Sequence, residues 1–132
     1  MKKIITCHCK NIKISVVFPE IITPVKCNCS ICQRRNAKMA VVEKKDVKVL
    51  AGSEFIKSYK FHTKVAEHFF CSNCGIYTHH IQRRDTTKIG INLGCLEDFD
   101  KLKLNDQKNL DGKNHPLDKK WETSLQLLKK NI

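Results

Sequence analysis

Eight cysteines, at positions 7, 9, 27, 29, 32, 71, 74 and 95, constrain this chain more than any other feature. Seven of them fall in three clusters: Cys7-His8-Cys9, Cys27-Asn28-Cys29-Ser30-Ile31-Cys32 and Cys71-Ser72-Asn73-Cys74. Cys95 stands alone. An even count permits a disulfide framework, but such frameworks belong to exported chains, because cytosolic thiols are kept reduced. The chain begins Met1-Lys2-Lys3-Ile4-Ile5-Thr6, with an apolar core of two residues. An export signal needs roughly 7–15. No uninterrupted apolar stretch is long enough for a membrane span. The expectation is a cytoplasmic protein with reduced thiols, which suits metal. Two cysteines two or three residues apart can both reach one ion at about 2.3 Å, and a second pair closes a tetrahedron.

Zinc is the expected ion, since soft thiolates select it and it needs no redox partner. Tetrahedral sulfur also holds iron, so an iron–sulfur site is the alternative. Seven clustered ligands do not divide into two sets of four. One division is four plus three: Cys7, Cys9, Cys71 and Cys74 in a closed structural site, and Cys27, Cys29 and Cys32 in a site with an open fourth position. A competing division recruits Cys95 and closes both. Ile89, Ile91, Leu93 and Cys95 alternate as on one strand face, which makes Cys95 a buried core thiol and leaves it out of both sites.

A chain of 132 residues makes one domain, taken as residues 1–132, with enough length for a real core. Its periodicity is mostly two. Ile12, Ile14, Val16 and Phe18 alternate with Lys13, Ser15 and Val17 as in a half-buried strand. Residues 25–36 read as a loop or short helical turn carrying the triplet. Short strands are expected at 39–43 and 47–50, a hairpin at 55–61 and 65–70 around His62-Thr63-Lys64, and strands at 76–82 and 88–95. Asn73-Cys74-Gly75 supplies a tight turn. Residues 98–118 are polar, with turn signals at Asp111-Gly112 and His115-Pro116. Trp121, Leu125, Leu128 and Ile132 recur at helical spacing, so a short C-terminal helix is expected over about 118–131. The fold class is mainly β: a small zinc-stapled domain with a helical tail.

These clusters, in this order, resemble the family of glutathione-dependent formaldehyde-activating enzymes and centromere protein V. The resemblance runs from about Thr6 to Pro116. It rests on the three cysteine clusters, on Gln33-Arg34-Arg35 after the second, and on His68-Phe69-Phe70 before the third. Asn92-Leu93-Gly94-Cys95-Leu96 and Asp111-Gly112-Lys113-Asn114-His115-Pro116 extend it. It implies a tent-like fold of antiparallel sheets with two zincs. The structural zinc falls to Cys7, Cys9, Cys71 and Cys74, and the catalytic-type zinc to Cys27, Cys29 and Cys32. The implied reaction joins glutathione, as co-substrate, to formaldehyde, giving S-hydroxymethylglutathione; it is classed as a carbon–sulfur lyase. Thr6 and Lys10 stand where the family usually carries glycine.

The charge fits an anionic partner. Ionising the seven clustered thiols and adding two divalent ions takes the formal +12 to +9. The basic residues are scattered doublets: Lys2/Lys3, Arg34/Arg35, Lys44/Lys45, Arg83/Arg84, Lys119/Lys120 and Lys129/Lys130. A nucleic-acid binder usually concentrates charge in one stripe, so nucleic acid is possible but not favoured. Arg34 and Arg35 follow the open site and could pair with a substrate carboxylate. His79 and His80 are neighbours on a strand, so at most one faces a site. His68 reads as structural. The competing function is a zinc-stabilised binding module for nucleic acid or protein, without catalysis.

Overall fold

The computed structural model describes residues Met1–Asn114. Its elements are β1 (Lys2–Thr6), β2 (Lys13–Val17), β3 (Val25–Cys27), α1 (Ser30–Arg35), β4 (Met39–Glu43), β5 (Val47–Ala51), β6 (Ile56–Tyr59), β7 (Glu67–Cys71), β8 (Tyr77–Ile81), β9 (Lys88–Asn92) and β10 (Lys108–Leu110). They build two sheets. The smaller has the order β1-β2-β5, the larger β10-β3-β4-β9-β8-β7-β6. The protein is mainly β, as its alternating pattern predicts. Among the described residues no helix is long and apolar enough to cross a membrane.

The core lies between the sheets. Ile5, Ile12, Ile14, Val16 and Phe18 come from the small sheet and its flanks. Ala40, Val42, Ile89 and Ile91 come from β4 and β9, with Leu93 just beyond. Each fully buried aliphatic side chain contributes roughly 1.5–3 kcal/mol. On β2, Lys13 and Val17 face out while Ile14 and Val16 are buried, because alternate side chains point to opposite faces; Ser15, on the outer face, is buried as well. The turn after β5 requires glycine. Gly52 has φ +80°, and a Cβ there would meet the Asn11 carbonyl oxygen at 2.0 Å.

Three expectations change. The opening residues form β1, paired antiparallel with β2, although two lysines and a threonine hide its short alternation. The strand expected over 88–95 stops at Asn92. The Asn92 side chain accepts from the Gly94 amide at 3.0 Å and starts a 3₁₀ turn over Leu93–Cys95. Cys95 is still buried, but it leaves the strand and does not share its alternation. The polar stretch after Asp98 contributes β10, which pairs parallel with β3, whereas every other described strand pairing is antiparallel. The hairpin around residues 62–64 forms, with His62 and Lys64 at positive φ. The expected helix over 118–131 lies outside the described residues.

Candidate metal centres

The first cluster joins the two sheets. Cys7 and Cys9 sit in the turn after β1, where the Lys10 amide donates to the Cys7 carbonyl at 3.1 Å. Cys71 ends β7, and Cys74 lies in a turn closed by the Gly75 amide on the Cys71 carbonyl at 2.7 Å. Gly75 holds φ +78° there. The four Sγ atoms all lie within 4.8 Å of one another. Cys7 to Cys9 is 3.5 Å and Cys9 to Cys71 is 3.7 Å. A tetrahedron with metal–sulfur bonds of about 2.3 Å has edges of about 3.8 Å, so the donor set fits zinc. The Ile12 amide donates to Cys7 Sγ at 3.4 Å, stabilising a thiolate. Burial pushes the Cys7 thiol up to about 11, the cost that a bound cation would offset. Cys74, against its own desolvation, is held down at about 6 by backbone donors at Cys9 and Ile76.

The second cluster is the triplet. Cys27 ends β3, Cys29 immediately precedes α1, and Cys32 lies in that helix. Their Sγ atoms also lie within 4.8 Å of one another, and no fourth Cys, His, Asp or Glu among the described residues completes the group. The Cys29 amide donates to Cys27 Sγ at 3.4 Å. Donation from Cys27 and Cys32 pulls Cys29 far down, and the same contacts drive Cys27 and Cys32 up. Three adjacent thiols cannot share so much negative charge evenly without a cation. A cavity of about 330 Å³ opens against Cys27, Cys32, Gln33 and Asn109. Cys95 belongs to neither cluster. Its thiol points at the Tyr77 carbonyl at 3.6 Å, and burial pushes it up to about 12.

A loop presses on the triplet from the far end of the chain. Asn28 Nδ2 donates to Asp111 Oδ1 at 3.1 Å, and the Lys113 amide donates to Asn28 Oδ1 at 3.0 Å. Between them, a Cβ on Gly112 would lie 2.5 Å from Cys27 Sγ and 2.6 Å from Cys29 Cβ. The sequence marks Asp111-Gly112 as a turn and as part of the family resemblance, but not as a neighbour of the triplet; contact between residues so distant in the chain leaves no local signal.

Beside the triplet is a polar cluster. Arg34 turns outward, its Nη1 donating to the Ser30 carbonyl at 2.8 Å on the exposed face. Arg35 turns inward. Its Nη2 donates to His68 Nδ1 at 2.5 Å, and its guanidinium lies 3.9 Å over the Tyr77 ring. His68 on β7 and His80 on β8 are direct cross-strand partners, with ring centroids 5.4 Å apart. The Tyr77 hydroxyl bonds His80 Nδ1 at 2.6 Å. Burial holds His68 down at about 4 and His80 at about 3, so both rings are neutral at neutral pH. His79 points to the other face, stacked 4.5 Å from Phe69 and bonded to Thr78 Oγ1 at 2.8 Å. Only one of the adjacent histidines approaches the triplet, as strand geometry requires. His68 reaches further into this cluster than a purely structural role implies. His8 is exposed.

Fold and site together define a small β domain with two thiol clusters, each able to hold a metal ion. Residues 2–110 match the family model for the glutathione-dependent formaldehyde-activating enzyme. The chain belongs to that family. A crystal structure of a Rhodobacter sphaeroides protein is similar, at 36% identity and a TM-score of 0.68, covering 80% of this chain and all of that one.

Proposed function

We propose that this protein is a zinc enzyme that joins a small thiol, glutathione or a relative, to a small aldehyde such as formaldehyde. The reading rests on family membership together with one observation: the triplet offers three converging thiols beside a cavity, with no fourth ligand among the described residues. In this reading Cys7, Cys9, Cys71 and Cys74 hold a structural zinc, and Cys27, Cys29 and Cys32 hold the second. A zinc in the triplet would offer its open position to a thiol and favour the thiolate at neutral pH.

The chain's own groups then bind and orient. Three thiolate ligands give a divalent ion a net charge of −1, which blunts its Lewis acidity and favours thiol capture over water activation. Arg34, exposed at the rim of α1, supplies positive charge for a carboxylate of an anionic thiol. The loop at Asp111–Lys113 fixes Asn28 and keeps Cys27 and Cys29 in place.

The test is the rate at which glutathione and formaldehyde exchange with their adduct, followed by exchange NMR with and without the protein. Acceleration by the wild type, lost in Cys29→Ser, is the expected result. No acceleration, with salt-sensitive nucleic-acid binding in its place, would replace this reading with the binding module.

A further inference from the structure

One cation lines the cavity beside the triplet. It is Lys26, the residue before Cys27 on β3, and it shares the cavity wall with Cys27 and Cys32. Lys26 Nζ donates to Asn36 Oδ1 at 2.5 Å. Asn36 caps α1 in the left-handed region at φ 51°, and its amide donates to the Cys32 carbonyl at 2.9 Å. The ammonium is thus tied to a residue one helical turn beyond Cys32, about 6 Å along the axis. Among the described residues no carboxylate pairs with Lys26. No Asp or Glu lines the cavity, and neither does Arg34 or Arg35.

The rest of this wall is biased towards donors. An ammonium has only donors, so Asn36 must present its oxygen to Lys26, which leaves its Nδ2 for a ligand. Asn109 lies opposite Lys26 in the parallel pairing of β10 with β3. Gln107 Nε2 donates to Asn109 Oδ1 at 2.8 Å, which leaves Asn109 Nδ2 in the same way. Both carboxamides line the cavity with Lys26. A cation flanked by amide N–H groups matches a ligand rich in acceptors, a carboxylate next to a peptide carbonyl. At about 330 Å³ the cavity falls at the small end of the range for small-molecule sites.

We propose that Lys26 is the carboxylate anchor for the thiol substrate, and that this substrate is a peptide thiol lying along β3 towards the end of α1. This rests on the thiol–aldehyde reading of the triplet. The turn of helix between Cys32 and Asn36 favours a carboxylate one peptide unit beyond the thiol-bearing residue, since consecutive Cα atoms are about 3.8 Å apart. Arg34, bonded to the Ser30 carbonyl on the exposed face, adds charge at the rim, whereas Lys26 makes the contact.

The experiment compares glutathione with its dimethyl ester, which keeps the thiol and both amides but no carboxylate, in steady-state adduct formation. Wild type should prefer glutathione by about five- to tenfold in kcat/KM, with the difference in KM. In Lys26→Gln, which keeps a polar link to Asn36 without the charge, the preference should shrink to within about twofold. Lys26→Arg should restore it. A wild type without preference, a preference that survives Lys26→Gln, or one that only Arg34→Gln abolishes would each overturn the proposal. Wild type that forms no adduct with either thiol would instead bring down the thiol–aldehyde reading itself. A second readout needs no turnover. S-methylglutathione, which has no thiol to react, is titrated into the metal-loaded protein while the side-chain amide resonances of Asn36 and Asn109 are followed. Saturable shifts of both are expected, with affinity about fivefold weaker in Lys26→Gln. Resonances that S-methylglutathione leaves in place would overturn the anchor whatever the kinetics show.

Discussion

Each side chain around the triplet is held by something identifiable, so single substitutions should have separable effects. Cys29 adjoins both other thiols, and Cys29→Ser leaves two thiols where three stood. Elemental analysis should find metal per chain falling from about two to about one, with the four-cysteine site still filled. Retention of both ions would mean that the triplet does not bind metal through Cys29. Gly112 is the less obvious case. An added methyl group would run into Cys27 Sγ and Cys29 Cβ, so Gly112→Ala must push the loop away from the triplet. Affinity for the second metal should drop about 10–100-fold, as for other residues that orient ligands from behind. Competition with a chromophoric chelator measures it. Gly90 makes room for His80: a Cβ there would meet the ring's Cε1 at 2.2 Å. Gly90→Ala should displace the ring from Tyr77 and cost about 1–3 kcal/mol, visible in urea denaturation. An unchanged midpoint would show that the ring moves freely. The thiol clusters were legible as residues because covalent spacing alone lets C-x-C and C-x-x-C pairs converge. Gly112 and Gly90 were not, since their partners lie far along the chain.

At the scale of elements, the weakest piece is β10. It has three residues, and it joins the large sheet only at the β3 edge. Asn28 ties it down: its amide donates to the Leu110 carbonyl at 3.2 Å, and its side chain holds Asp111 and Lys113. Asn28→Ala removes the side-chain bonds, each worth about 0.5–1.5 kcal/mol. Hydrogen exchange at Asn109 and Leu110 should speed up roughly tenfold while β8 and β9 stay protected. Equal protection would place the anchor elsewhere. The central strands were legible because one face is buried and the other wet, which writes a period of two into the sequence. β1 and β10 were not. β1 is short and begins with lysines, and β10 reads Lys-Asn-Leu, so neither carries enough alternation to be seen. Both are strands because a partner is present: β2 for the first, β3 for the second.

The whole molecule couples acid sensitivity to its buried rings. Burial holds His68 and His79 down at about 4 and His80 at about 3, against 6.5 for a free ring. The folded state keeps them neutral, so below 6.5 the unfolded chain binds more protons. Stability is therefore full above that pH and falls as pH drops towards 4, by up to about 1.4 kcal/mol per pH unit for each ring. His79→Phe isolates the histidine contribution, because that ring points away from the triplet and packs on Phe69. Urea denaturation between pH 7 and 5 should give the variant a shallower pH slope, by about two-thirds of a proton on average. Identical slopes would refute burial of His79 as a source.

The sequence by itself determined the thiol sets, the mainly β class and the alternating strands, because each follows from spacing within a few residues. The family resemblance was legible for the same reason. Only the tertiary structure decided which sets meet. Cys9 and Cys71 are 62 positions apart, yet their sulfurs lie 3.7 Å from each other because the turn after β1 is brought against the end of β7. It also decided which arginine enters the cluster beside the triplet. Arg34 and Arg35 are the same residue type side by side, and helix geometry must send them to different faces. What lies against each face depends on where α1 packs, and that is set by strands far along the chain. The register of β7 on β8 puts His68 opposite His80, and a slip of one strand by one residue would send the two rings to opposite faces of the sheet.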